Sequence, residues 1–233
     1  MADDDLAAAR RSARRVALVA GAVGVVAVLV WVVVFSSLLG ANRVVVHGAH
    51  TVSAAQIRST AEVPHGHPLV RLDTGAIARR VETLPGIAEV RVGVSYPSTV
   101  VITVTERVAV GYLTAGGKAI LVDRSGRQFR TVAAAPAALP RFDIPADLPA
   151  PNATAIGQAV ATAAGALTPA LLGKLSSIAA TDPSAITLRL RDGRTVLWGS
   201  ADRSADKAQV LPALLGRAGS TFDVSNPDVV VAR

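Results

Sequence analysis

The chain has 233 residues, enough for one or two small domains, with a formal net charge of +7, 51% hydrophobic residues and 18% charged ones. It contains no cysteine, which excludes disulfides, thiolate metal sites and cysteine nucleophiles. Its arginines are scattered and no run of them sits beside aromatic residues, which make up 3% of the chain; the positive charge therefore reads as a solvated basic surface, not as a nucleic-acid interface.

Val16 to Leu39 (VALVAGAVGVVAVLVWVVVFSSLL) carries no charge and no proline. At ~1.5 Å per residue this run makes a helix of about 36 Å, long enough to cross a hydrocarbon core of ~30 Å with some tilt. Trp31 lies in its second half and suits the outer interface. Arg10, Arg11, Arg14 and Arg15 precede the run and only Arg43 closely follows it. The bias of basic residues toward the cytoplasm then predicts a single-pass, type II protein: residues 1–15 inside, 16–39 in the lipid membrane, the rest extracytoplasmic. A cleaved signal is disfavoured, because its apolar core runs only about 7–15 residues and Leu39 is too large for a cleavage site at Leu39-Gly40-Ala41.

Residues 41–107 read as a β-α-α-β-β unit. Arg43–His47 (RVVVH) is a short apolar strand that ends at Gly48. Ser53, with Gln56 three residues on, forms a helix-starting capping pattern, and Asp73 can cap a second helix that Pro85-Gly86 closes. Val90, Val92 and Val94 alternate with polar or small residues, as do Val100, Ile102 and Val104, and Ser95-Tyr96-Pro97-Ser98 joins the two runs as a tight turn. Two helices on one face of a three-stranded sheet is the arrangement of a POTRA domain. His65 and His67 form His-x-His in a Pro/Gly loop but have no carboxylate close in sequence, so they read as loop histidines and not as metal ligands.

Residues 108–233 read as a mixed β domain with flanking helices. Strands are expected over Val108–Leu113, Lys118–Val122 and Arg127–Arg130, with a further extended piece near Leu139–Phe142. Asn152 is expected to cap an alanine-rich helix through about Leu167, and Thr168-Pro169 to restart a turn of helix. Ile186–Leu190 and Thr195–Trp198 flank Arg191-Asp192-Gly193-Arg194, a strong hairpin signal. Asp206–Leu215 reads as a helix, and Phe222–Val224 and Asp228–Val231 as terminal extended segments.

No catalytic motif is found in the chain. It has no phosphate loop, no nucleophile elbow, no His-Glu-x-x-His and no carboxylate pair singled out by spacing, so no enzyme, cofactor, metal or small-molecule substrate is expected. A terminal strand can act instead: its free edge offers unpaired backbone groups to which a partner can add a strand.

Four patterns, in this order and just after one predicted span, resemble the POTRA domain of the FtsQ/DivIB family of bacterial cell-division proteins: V-V-V-H-G-A-H-T-V-S (Val44–Ser53), P-L-V-R-L-D (Pro68–Asp73), L-P-G-I-A-E-V-R-V (Leu84–Val92) and Y-P-S-T-V-V-I-T-V-T-E-R (Tyr96–Arg107). The family often has proline soon after Glu-Arg, where this chain has Val108-Ala109. V-D-R-S-G-R-Q-F (Val122–Phe129), D-G-R-T-V-L-W-G (Asp192–Gly199), Lys207 ahead of V-L-P-A-L-L, and F-D-V-S-N-P (Phe222–Pro227) resemble the C-terminal β domain of the same family.

The resemblance implies a non-catalytic scaffold at the division septum. Its implied partners are single-pass proteins of the FtsB/DivIC and FtsL kinds, with FtsW/FtsI-type septal synthesis proteins as further candidates. It also implies a docking surface. Lys207 would offer a cation to an acidic partner residue, and Phe222, Asp223, Val224, Ser225, Val229, Val230, Val231 and Arg233 would offer the strand surface. The POTRA strand carrying Val100, Val101, Thr103 and Thr105 is expected to be a second docking edge. The alternative is a POTRA-type module for envelope or secretion assembly. Such a protein would carry a β-barrel, for which the region after the POTRA unit is short.

Overall fold

In a computed structural model, residues 18, 20–26, 28, 31, 39–145 and 147–228 are described, together with the backbone of 231 and 232. The expected topology residues Arg10, Arg11, Arg14, Arg15 and Val16 lie outside them. Trp31 is helical and exposed, Leu39 is half-buried, and among the described residues no helix is long and apolar enough to cross a membrane. The chain divides after Glu106 into two units.

Local capping organises the first unit. β1 (Arg43–His47) is followed by α1 (Ala54–Ala61), α2 (Thr74–Glu82), β2 (Ile87–Ser95) and β3 (Thr99–Glu106). The Ser53 hydroxyl accepts the Gln56 N–H at 3.0 Å and the Asp73 carboxylate accepts the Ala76 N–H at 2.8 Å, so each helix starts where a side chain satisfies an orphan donor. Arg80 closes the other end of α1, donating from Nε and Nη2 to the Ala61 carbonyl at 3.1 and 2.7 Å. Ile57, Ala61, Ile77 and Val81 of the helices are buried with Val100, Ile102 and Val104 of β3.

The sheet order is β1-β3-β2, β1 parallel and β2 antiparallel to β3. This corrects the expected POTRA docking edge. The strand with Val100, Val101, Thr103 and Thr105 is the central one, and both of its ladders are occupied. Val100 is fully buried, Val101 half-buried, and Thr103 and Thr105 are exposed on a face, not along an edge. The sequence shows alternation but not neighbours, and a crossover between β1 and β3 puts the last strand in the middle. Gly48 accounts for the V-V-V-H-G pattern: it sits at φ +80°, and a Cβ there would collide with the Val104 carbonyl.

The second unit holds β4 (Ala109–Ala115), β5 (Lys118–Asp123), β6 (Gln128–Val132), β7 (Arg141–Asp143), α3 (Ala150–Ala166), α4 (Pro169–Leu172), β8 (Leu175–Ala180), β9 (Ile186–Leu190), β10 (Thr195–Gly199), α5 (Ser204–Leu215), β11 (Thr221–Asp223) and β12 (Val231–Ala232). They form one nine-stranded sheet in the order β12-β11-β10-β9-β8-β7-β4-β5-β6. Phe142, Ile178, Leu188, Val196 and Phe222 stand opposite one another on five consecutive strands, and all are buried. This transverse row is the core beneath α3 and α5.

Two readings are corrected. Helix α3 starts at Ala150, before the expected cap Asn152, because Pro149 and Pro151 already supply helix-compatible φ values in a first turn that needs no N–H. The strand β8 was not expected at all: Leu175–Ala180 (LSSIAA) is small and weakly patterned, and becomes a strand through pairing with β7 and β9.

Candidate partner-docking site

The unit around the expected docking surface is β10-α5-β11-β12. β10 and β11 are parallel, so a crossover must join them, and α5 supplies it. β12 then turns back antiparallel on β11, pairing Phe222 with Ala232 and Asp223 with Val231, and forms one edge of the sheet.

The D-G-R-T-V-L-W-G pattern builds the floor. Asp192 accepts the Arg194 N–H at 3.1 Å across the hairpin turn, where Gly193 has φ +90°. Arg194 Nη1 donates to the Leu215 carbonyl at 2.8 Å, and its guanidinium lies 5.6 Å from the centre of the Phe222 ring. The hairpin is thereby fastened to the end of α5 and to β11. Val196 and Trp198 point into the core and are fully buried, while Leu197 between them faces the other side, 40% exposed.

Lys207 is not the exposed cation expected from the sequence. It is 1% exposed, and its Nζ donates to the carbonyls of Trp198 at 3.0 Å and Ser200 at 2.8 Å. Burial holds its ammonium below the ordinary lysine range, against the opposing pull of Asp202. Trp198 Nε1 donates to Ser204 Oγ at 3.1 Å, and the Ser204 hydroxyl donates to the Ala201 carbonyl at 2.7 Å. Lys207, Ser204 and Trp198 thus knit the first turn of α5 to the end of β10. The physical reason is reach: a four-carbon stem on the inner face of α5 carries the ammonium to two carbonyls at the end of β10.

The other expected contacts divide by side. Phe222 and Val224 are fully buried and belong to the core. Asp223 and Ser225 alternate away from it. Asp223 Oδ1 accepts the Ser225 N–H at 2.9 Å and its hydroxyl at 2.6 Å, stopping the strand in a tight turn. Val231 lies on the edge strand, and Val229, Val230 and Arg233 lie outside the described residues.

The sequence reading missed Arg203 and Asp228. Arg203 opens α5 in the left-handed region at φ 52°. Its Nη1 and Nη2 reach the two Asp228 carboxylate oxygens at 2.7 and 3.0 Å, and its Nε reaches Asp206 at 3.0 Å. Hydrogen bonding to Arg203 lowers the Asp228 pKa. Only the Arg203/Asp206 spacing was visible in the sequence; Asp228 is brought in by the β11–β12 turn. Among the described residues no group of three or more His, Cys, Asp or Glu is placed to hold a metal ion.

With this geometry in place, comparison with known proteins gives two family matches. The FtsQ-type POTRA domain matches residues 39–107, and the C-terminal domain of cell division protein FtsQ/DivIB matches 111–229. Proteins named cell division protein FtsQ are similar over 84% of this chain. The one from Mycobacteroides abscessus is 37% identical and that from Mycolicibacterium smegmatis 40%, with 62% and 57% of their own lengths covered. The one from Streptomyces bingchenggensis is 34% identical, with 77% of its length covered. The chain thus spans about three fifths of the length of these mycobacterial relatives. A solved structure of the major extracytoplasmic domain of DivIB from Geobacillus stearothermophilus aligns at 19% identity with a TM-score of 0.36, over 47% of this chain and 91% of that one.

Proposed function

The chain belongs to the FtsQ/DivIB family of bacterial cell-division proteins, and on that premise we propose that it is a non-catalytic scaffold at the division septum. In this reading Val16–Leu39 anchors it in the cell membrane with residues 1–15 in the cytoplasm. Residues 41–107 and 108–233 stand on the outer face as a POTRA domain and an FtsQ-type β domain. There it captures single-pass FtsB/DivIC-like and FtsL-like proteins and coordinates them with FtsW/FtsI-type septal synthesis.

The observation that carries the docking part is the position of β12. It is the last strand of the sheet, and a partner strand laid beside it would extend the ladder through backbone hydrogen bonds. Asp223, Ser225 and Val231, with the segment from Val229 to Arg233, are the contact surface in this reading. Lys207 supports that surface from within instead of touching the partner.

Depleting the protein and imaging the cells tests the whole reading. The expected result is failed septation with the single-pass partners no longer at midcell. Normal septa with those partners still in place would overturn it.

A further inference from the structure

The sheet has a second edge, β6, at the end opposite β12. Helix α3 packs on β4, β5 and β8, and the sheet continues past it to β6. The space beside the first half of α3 is an open groove of about 590 Å³. Its sheet side is mainly apolar, with the half-buried Leu113, Ile120 and Ile144 over the buried Val122 and Phe142, and Thr114 and Gln128 beside them. Its helix side is low where Ala153 and Gly157 face it, and is flanked by the exposed Thr154 and Gln158.

The rim carries charge of one sign. Arg127 lines the groove and is exposed, whereas Arg124 of the same β5–β6 turn reaches the other way, to the Gly165 carbonyl at 3.5 Å in the last turn of α3. Among the described residues no carboxylate lines the groove. The one acid of that turn, Asp123, is buried and fully engaged: its Oδ1 accepts the Ser125 N–H, the Ser125 hydroxyl and the Arg127 N–H at 2.8, 2.6 and 3.0 Å, and its Oδ2 accepts Arg107 Nη1 at 2.5 Å. It therefore neutralises Arg107 and leaves Arg127 to set the field at the rim.

We propose that this groove is a docking site for an amphipathic helix with an acidic flank, supplied by a partner protein. The dimensions fit that occupant. Helices pack ~8–10 Å apart, more closely where the facing residues are small, and β6 lies two inter-strand steps of ~4.8 Å beyond β4. One helix laid beside α3 would cover β5 and β6, put its apolar stripe on the half-buried Leu113, Ile120 and Ile144, and bring its flank to Arg127. Charge at such a rim selects the sign of the partner, while the apolar floor holds it. This site lies at the far edge of the sheet from β12 and does not rest on the function proposed above.

The test uses the full chain in lipid nanodiscs. Because the protein has no cysteine, Thr154→Cys gives a single position on the groove for an environment-sensitive fluorophore. The probe is a synthetic helix of about five turns with leucine at i, i+3, i+4 and i+7 and glutamate on the flanks; a twin with lysine in place of glutamate is the control. The expected result is saturable binding of the acidic helix, roughly tenfold tighter than the twin and weakened by salt. Arg127→Glu should reverse the preference. Ala153→Phe, which fills the groove from a half-buried position, should abolish binding; Gly157→Leu is the second blocking variant should the first lower the melting temperature. No saturable binding, equal binding of the twin, or binding unaffected by either blocking variant in a well-folded protein would overturn the proposal.

Discussion

Arg203 and Asp228 meet in a two-pronged ion pair, 2.7 and 3.0 Å, between the residue that opens α5 and the residue that leads toward β12. The pair fixes the returning segment of the chain against a helix whose first turn is itself fixed to β10. Both partners are about half exposed or more, so the expected effect of breaking the pair is local. Arg203→Gln or Asp228→Asn should speed amide exchange at Val231 and Ala232 while the melting temperature of the unit stays unchanged. Added salt should do the same to the unmodified protein. Hydrogen exchange resolved to the C-terminal peptide reads both.

Lys207 makes the opposite prediction, a global one. Replacing it with alanine strands the Trp198 and Ser200 carbonyls, and replacing it with glutamate adds a buried carboxylate facing them. Lys207→Ala should cost about 1–3 kcal/mol and Lys207→Glu more, measured by urea denaturation. Loss of partner capture in such variants would report loss of fold, so charge reversal at this position is no test of docking.

Gly111 lies against Phe142, and a Cβ there would overlap the ring. Phe142 is the β7 member of the transverse core row. Gly111→Ala should therefore destabilise the second unit by about 1–3 kcal/mol through overpacking. A calorimetric transition at lower temperature checks it.

Glu106 gives the first unit a pH dependence. Partial burial works to raise its pKa, but the Thr51 hydroxyl and the backbone N–H groups of Val52, His50 and Thr51 outweigh it and hold the carboxyl at about 2. A carboxyl depressed on folding contributes fully above the ordinary glutamate range, and its contribution falls away as the pH drops through the window between about 4.5 and 2. Glu106→Gln should lower stability at neutral pH by about 1–2 kcal/mol and flatten the acid limb of the stability curve. Denaturation followed from pH 7 to pH 2 shows both.

What the sequence made legible was what neighbours in the chain decide. Ser53 and Asp73 cap the helices they precede, and Asp192-Gly193 turns the hairpin it sits in. Partners far apart in the chain were not legible. Alternation in Val100–Thr105 is the same for a central strand as for an edge. Leu175–Ala180 has too little pattern to announce a strand that its neighbours impose. At the proposed docking surface the sequence named a stretch but not its sides. Phe222 and Val224 turn inward, Asp223 and Ser225 outward, and a lysine that reads as solvent-exposed is buried, donating to two carbonyls at the end of β10.

The proposed docking surface is the β12 edge, where the single-pass partners would be captured. Neighbouring N–H groups of an antiparallel edge strand point alternately inward and outward, so Val231→Pro and Ala232→Pro, made singly, include one that removes only an outward donor. The deciding measurement is affinity capture of FtsB/DivIC-like protein by the full chain carrying each proline, beside its melting temperature. If the β12 edge is the docking site, one of the two loses capture with its melting temperature unchanged. Full capture by both, in well-folded protein, would contradict it.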